Sequence, residues 1–184
     1  MVTIDEDTSP YPPEPKPGIE TSDVFTLRSA MGWLELGMPA EARKELQTLT
    51  PEVAQLPEVR GVQWSILAQE KNWAEAEELA RDQVSDQPDN AANWINWAYA
   101  LRRADGCGIR MAYDTLREAV DRFPKESTIP YNLACYCCRL EELEEAWRWL
   151  GIAADRSDHK TIRKMALRDD DLSAIHDQLT DWGA

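Results

Sequence analysis

The sequence predicts an all-α protein made of about four stacked helical hairpins. Three observations predict it. Ala42, Ala76, Ala112 and Ala146 recur at intervals of 34, 36 and 34 residues. Each alanine lies on an apolar stripe of three- and four-residue steps, the signature of one buried helix face. Each is also preceded by a short polar turn and a separate apolar stretch. A fixed period in this range marks hairpins that bury their apolar faces against neighbouring hairpins rather than in one central core.

Residues 1–22 differ in kind from the rest. Pro10 and the run Tyr11-Pro12-Pro13-Glu14-Pro15-Lys16-Pro17-Gly18 exclude helix and favour polyproline II. The segment reads as a disordered, proline-rich tail. Its alternative is a ligand strand for a groove, anchored by Tyr11.

Helical periodicity takes over at Asp23. The first repeat, 23–56, has a first helix ending near Gly37 and a second opened by Pro39, where proline's missing N–H has no helical partner to lose. Ala42, Leu46 and Leu49 mark its stripe. The second repeat, 57–90, starts at Pro57, carries Trp64 and Leu67, then Trp73, Ala76 and Ala80, and stops at Pro88. The third, 91–126, has Trp94, Trp97, Ala98 and Leu101 on one face. Its turn, Ala104 to Gly108, is two residues longer than its counterparts, and Ala112, Leu116 and Ala119 follow before Pro124. The fourth, 127–158, carries Leu133, Ala134 and Cys137, then Ala146, Leu150 and Ala153.

The closing segment, 159–184, begins with an amphipathic helix on Ile162, Met165, Ala166 and Leu167. Asp169, Asp170 and Asp171 precede a shorter helix on Leu172, Ile175 and Leu179. Aspartates placed there cap the helix and suit its positive amino-terminal end. The other reading is a divalent-metal cluster, for which the sequence places no further acidic ligand.

Composition excludes several function classes. The 184 residues and 43% hydrophobic content suit one domain. A formal net charge of −14 argues against nucleic acid, which needs concentrated Lys and Arg, and against anionic membrane surfaces. No apolar run has the length of a membrane span, and the start Met-Val-Thr-Ile-Asp-Glu-Asp lacks the pattern of a secretory signal. A cytoplasmic location is expected. Cys135 and Cys138 have a spacing found in zinc sites, but only two histidines and no second such pair accompany them. Small cysteines on a helix read as packing residues, with no metal, cofactor or disulfide expected. Cys107 lies between two glycines with no histidine placed beside it. There is no phosphate loop, metal-binding histidine pair or serine elbow. The chain is expected not to be an enzyme.

These residues resemble the tetratricopeptide repeat family. Trp94, Trp97-Ala98 and Leu101 match the first-helix signature; Leu133-Ala134 and Cys137 echo it, as do Ala30 and Trp33. Ala42, Ala76, Ala112 and Ala146 match the small residue of the second helix, and Pro88 and Pro124 the inter-repeat proline. The resemblance covers 23 to about 158. Lys164 to Leu172 looks like the end-of-array cap of many bacterial members. The second repeat departs most, with Gly61, Gln63 and Trp64 in place of a large-small pair and Gln83 in place of a small residue. The resemblance implies a right-handed superhelix of about four hairpins plus capping helices.

It also implies that first helices line a concave groove. The inward residues are then Leu27, Met31 and Leu34; Ser65 and Gln69; Ile95, Asn96, Tyr99, Arg102 and Arg103; and Tyr131, Asn132, Cys135 and Arg139. Asn96 and Asn132 can bridge a peptide backbone, because an amide both donates and accepts. They can equally tie one helix to the next. Arg102, Arg103 and Arg139 can fork onto a carboxylate, though Arg102 and Arg103 also suit a helix end by their charge. Tyr99 and Tyr131 add flat contact area, and Leu27 and Met31 leave the other end apolar, open or covered by the tail. Leu27 and Met31 stand where a carboxylate clamp for chaperone termini needs lysine and asparagine, which argues against that ligand class.

The expected function is a non-catalytic scaffold that binds a protein or peptide segment, acidic or otherwise, in this groove. Alternatives are a small acidic chaperone that shields a client, as in secretion systems, and a self-assembling adaptor dimerising through Phe25 and Trp33. Replacing Arg102 and Arg139 by alanine is expected to weaken an acidic ligand and to leave melting nearly unchanged.

Overall fold

Glu20 begins the residues that the computed structural model describes, which run from 20 to 182. Most of the proline-rich tail, 1–19, lies outside them. Among the described residues every regular element is helical, and none is long and apolar enough to cross a membrane. The chain divides between Gln63 and Trp64 into two units.

In the first unit, α1 (Thr21–Glu35) starts two residues ahead of the expected point. The Asp23 carboxylate accepts the Glu20 N–H at 3.0 Å, which satisfies one of the donors that a helix start leaves unpaired. The helix ends in a left-handed residue, Gly37, with φ +71°. Met38 N–H reaches Trp33 C=O at 2.9 Å and Gly37 N–H reaches Leu34 C=O at 3.0 Å, the paired bonds of a Schellman stop. Next comes α2 (Pro39–Leu46), with Ala42 fully buried. Trp33 Nε1 donates to Glu45 at 3.2 Å and ties the two helices together. Leu49, expected on the stripe of α2, lies beyond its end and is only half-buried. There Pro51, with Thr50 accepting the Val53 N–H, opens a short α3 (Pro51–Ala54) that the repeat pattern did not foretell.

α4 (Pro57–Gln69) carries the division between the units. The second unit continues with α5 (Trp73–Asp86), α6 (Ala91–Leu101), α7 (Ile109–Ala119), α8 (Thr128–Arg139) and α9 (Leu143–Asp155). Ala76, Ala112 and Ala146 are all fully buried. A methyl at each position lets successive helices approach closely, and a larger side chain there overpacks the contact. The core of the unit joins Trp94, Ala98, Leu116, Leu133 and Leu150 to Ile162, Leu172, Ile175 and Leu179. Pro88 has a further role: its carbonyl accepts Trp94 Nε1 at 2.9 Å. Asn93, one of two buried polar residues among the described residues, donates to Gln83 C=O at 3.0 Å across the same connection. Gln83 itself is buried with Oε1 unpaired, a cost a small residue avoids.

Two further turns repeat the stop seen at Gly37 without glycine. Lys71 has φ +58° and Glu141 φ +63°, and Asn72 N–H to Leu67 C=O and Glu142 N–H to Cys137 C=O are both 2.9 Å. A side chain costs about 1–2 kcal/mol in this conformation, partly offset by glycine's greater chain entropy. Glu141→Gly is therefore expected to stabilise the protein by about 0.5–1 kcal/mol, read as a higher urea midpoint. The longer third turn stops differently, with Gly108 N–H on Leu101 C=O at 3.1 Å.

After α9, α10 (His159–Ala166) buries Ile162 and Ala166 but leaves Met165 exposed, as is Leu167 just past its end. The expected single last helix is two elements, a 3₁₀ helix (Asp170–Ile175) and α11 (His176–Asp181). Leu172, Ile175 and Leu179 are all fully buried.

Candidate peptide-binding site

The sequence-predicted residues fall in both units. Leu27, Met31 and Leu34 lie on α1; Leu27 and Leu34 are half-buried and Met31 is exposed. The second unit holds Asn96 and Tyr99 on α6, Arg102 and Arg103 just past its end, and Tyr131, Asn132, Cys135 and Arg139 on α8. Asn96 and Asn132 are half-buried, and no inter-helix tie is recorded for either side chain among the described residues.

Arg102 is not open. It is the C-cap of α6, and its guanidinium meets Asp171 edge to edge. Nη1 lies 2.5 Å from Oδ2 and Nη2 2.7 Å from Oδ1. Both partners are mostly shielded, at 18% and 24% side-chain exposure, and the two parallel charge-assisted bonds fix orientation as well as distance. The ion pair raises the pKa of Arg102 and holds the Asp171 carboxyl below its ordinary range, through the hydrogen bond first. Arg139 Nε stands 3.8 Å from the same carboxylate, with 56% of its side chain exposed.

Asp169 is held beside it. Its Oδ2 accepts Tyr131 Oη–H at 3.0 Å and Cys135 Sγ–H at 3.6 Å. Its Oδ1 accepts Asp171 N–H at 3.0 Å and so caps the 3₁₀ helix. The expected capping role thus falls to Asp169, on a 3₁₀ helix, while Asp171 reaches across to α6. Burial, reinforced by nearby acidic groups, pushes the Tyr131 hydroxyl and the Cys135 thiol far up, so both stay protonated donors.

Cys135, Asp169 and Asp171 bring ligand atoms within 4.8 Å of one another. Arg102, however, already covers both oxygens of Asp171 and places positive charge where a cation would sit. Burial likewise pushes Cys137 up to about 12 and Cys138 up to about 11. Thiols protonated at neutral pH and packed in the core are poor nucleophiles.

Arg103 meets aromatic rings instead. Its guanidinium lies 3.5 Å from the Tyr99 ring centroid and 5.3 Å from that of Trp73, and Nη1 donates to Tyr99 C=O at 3.0 Å. Tyr99 is held edge-on by Trp64 and Trp73 at 6.1 and 5.8 Å. Burial lowers the pKa of Arg103, and the ring faces supply the compensating negative potential. An open cleft of about 680 Å³ lies over this region, lined by both arginines, Tyr131, Met165, Arg168 and the three aspartates.

The structure therefore brings Arg102, Tyr131, Cys135 and Arg139 to one acidic segment of the chain itself. Alanine at Arg102 is expected to cost stability, contrary to the expectation of nearly unchanged melting, because it strands a shielded carboxylate. Sequence reasoning missed the two aspartates as partners and Trp64 and Trp73 as the platform for Arg103. Charge complementarity between Asp169–Asp171 and Arg102, Arg103 and Arg139 was the available signal.

Helix pairs keyed by buried alanines, with a closing helical segment, define a tetratricopeptide-type helical-repeat fold. A solved structure described as MamA RS-1 ArsTM double mutant, a TPR-like protein, shares it with a TM-score of 0.61 over 89% of this chain and 93% of that one, at 19% identity. No protein-family model and no curated protein matches the chain.

Proposed function

We propose that the protein is a non-catalytic interaction scaffold whose second unit takes an acidic peptide segment across α6 and α8. The observation that supports this most directly is the forked receipt of a carboxylate by Arg102, with Tyr131 taking a second one. Arg103 lines the same cleft and Arg139 stands 3.8 Å from Asp171, while Asn96, Tyr99 and Asn132, on the same two helices, offer groups suited to a peptide backbone. The repeat fold agrees with a binding role, since stacked hairpins offer extended surfaces.

The test is fluorescence anisotropy with labelled acidic, neutral and basic peptides of equal length. Acidic peptides are expected to bind best, and to weaken several-fold between low and moderate salt, because partly exposed arginines are screened. Arg139→Gln should weaken them further. Binding that ignores peptide charge and salt rules this reading out.

One observation favours a second reading, in which apolar surface shields a client or pairs two subunits. On the first unit Phe25, Met31 and Leu36 are exposed, at 59%, 52% and 71%. Client binding at that surface would resist salt, and pairing would make the solution mass rise with concentration.

A further inference from the structure

We infer that Asp169–Asp171 is a resident ligand of the cleft, which accordingly selects Asp-x-Asp helix starts and admits an external one only as the resident segment leaves. This rests on the acidic-peptide reading above and names both the ligand pattern and its control.

The pattern comes from what each carboxylate does. Asp171 presents two oxygens to the two terminal nitrogens of Arg102. Asp169, two residues earlier, gives one oxygen to Tyr131 and the other to the Asp171 N–H. That last bond closes a helix start, which fixes the spacing between the two carboxylates. Asp170 between them is exposed and has no recorded side-chain partner among the described residues, so the middle position is free to vary. The backbone that carries the receiving groups is held by core packing outside Asp169–Asp171. Arg102 follows the buried Leu101 at the end of α6, and Tyr131 and Cys135 are one turn apart on α8, whose neighbours Leu133 and Ala134 are fully buried.

The control comes from the tether. The segment lies between exposed Leu167 and Arg168 on one side and buried Leu172 on the other. A tethered ligand acts at an effective concentration on the order of millimolar, so an external segment of equal chemistry competes poorly. What favours an external ligand is the charge left over: Arg139 is only loosely engaged at 3.8 Å from Asp171, and Arg103 stacks on rings while feeling the Asp171 charge without a hydrogen bond to it among the described residues.

The probe is a fluorescein-labelled peptide with the chain's own sequence Ala166–Ile175, titrated with the full chain. Asp169→Asn/Asp171→Asn removes both charges while keeping size and capping ability, and Asp171→Asn alone serves if the double variant is unfolded by circular dichroism. The released variant is expected to bind the probe at least tenfold more tightly than wild type, and adding Arg102→Gln to it should abolish binding. Equal affinity for wild type and released variant, both lost with Arg102→Gln, overturns the resident-ligand inference and leaves the acidic-peptide reading standing. No binding by any folded chain, or binding indifferent to Arg102→Gln, overturns both.

Discussion

Leu172→Ala is expected to lower the unfolding free energy by about 2–5 kcal/mol, the range for deleting a fully buried leucine side chain. Leu172 is fully buried in the 3₁₀ helix, in the cluster that includes Leu133, Leu150 and Ile175. It is also the residue immediately after Asp171, so its packing anchors the acidic segment on α6 and α8. The substitution should therefore do two things at once: lower the urea midpoint and loosen the Arg102–Asp171 pair. Hydrogen exchange should rise first in the 3₁₀ helix and in α10, since the elements nearest the defect open most readily. A loss below about 1 kcal/mol would mean that the site collapses around the cavity and that Leu172 anchors little.

The second large effect is expected at the ion pair. Arg102→Ala and Asp171→Ala should each cost about 2–3 kcal/mol, because each strands a shielded charge that had two charge-assisted bonds. Removing both should cost much less than the sum, since the second substitution deletes the stranded partner. A double-mutant cycle from urea melts measures that coupling, and a coupling near zero would show the pair to be inert. Acid gives an independent check. The folded carboxyl of Asp171 is held below its ordinary value, whereas the unfolded one titrates near 3.9. Its contribution is complete above about pH 5 and fades as the pH falls through the unfolded and then the lower, folded value. The difference between wild type and Asp171→Ala should thus be constant from neutral pH down to about 5 and shrink in stronger acid.

Much of the fold was legible because its period is local. Ala42, Ala76, Ala112 and Ala146 needed only spacing to be placed in helix contacts, and all four are fully buried. Leu172, Ile175 and Leu179 were likewise readable as a buried stripe, although the backbone divides them between a 3₁₀ helix and an α-helix. Lys71 and Glu141 were not legible as left-handed stops, since neither side chain favours that conformation and only the hairpin geometry imposes it. The candidate site was half visible. Arg102, Tyr131 and Arg139 stood out on first-helix positions, but their partner lies 30 to 70 residues away in sequence. A helical period reports which face a residue is on and carries no information about which distant segment meets it. The capping role was the natural local reading of three aspartates before a helix, and it describes only Asp169.

The pairing of Arg102 with a carboxylate 69 residues later also sets an order of events during synthesis. At about 5–20 residues per second, that separation corresponds to roughly 3–14 s between the emergence of the arginine and that of its aspartate. Hairpin formation takes microseconds to milliseconds in helical proteins rich in local contacts, so α5 to α9 can assemble while the cleft is still vacant. On the proposed acidic-peptide reading, a nascent chain passes through an interval in which an external acidic segment faces no internal rival. Ribosome-stalled chains ending before and after Asp171 would show that interval as peptide binding present in the shorter chain and diminished in the longer one.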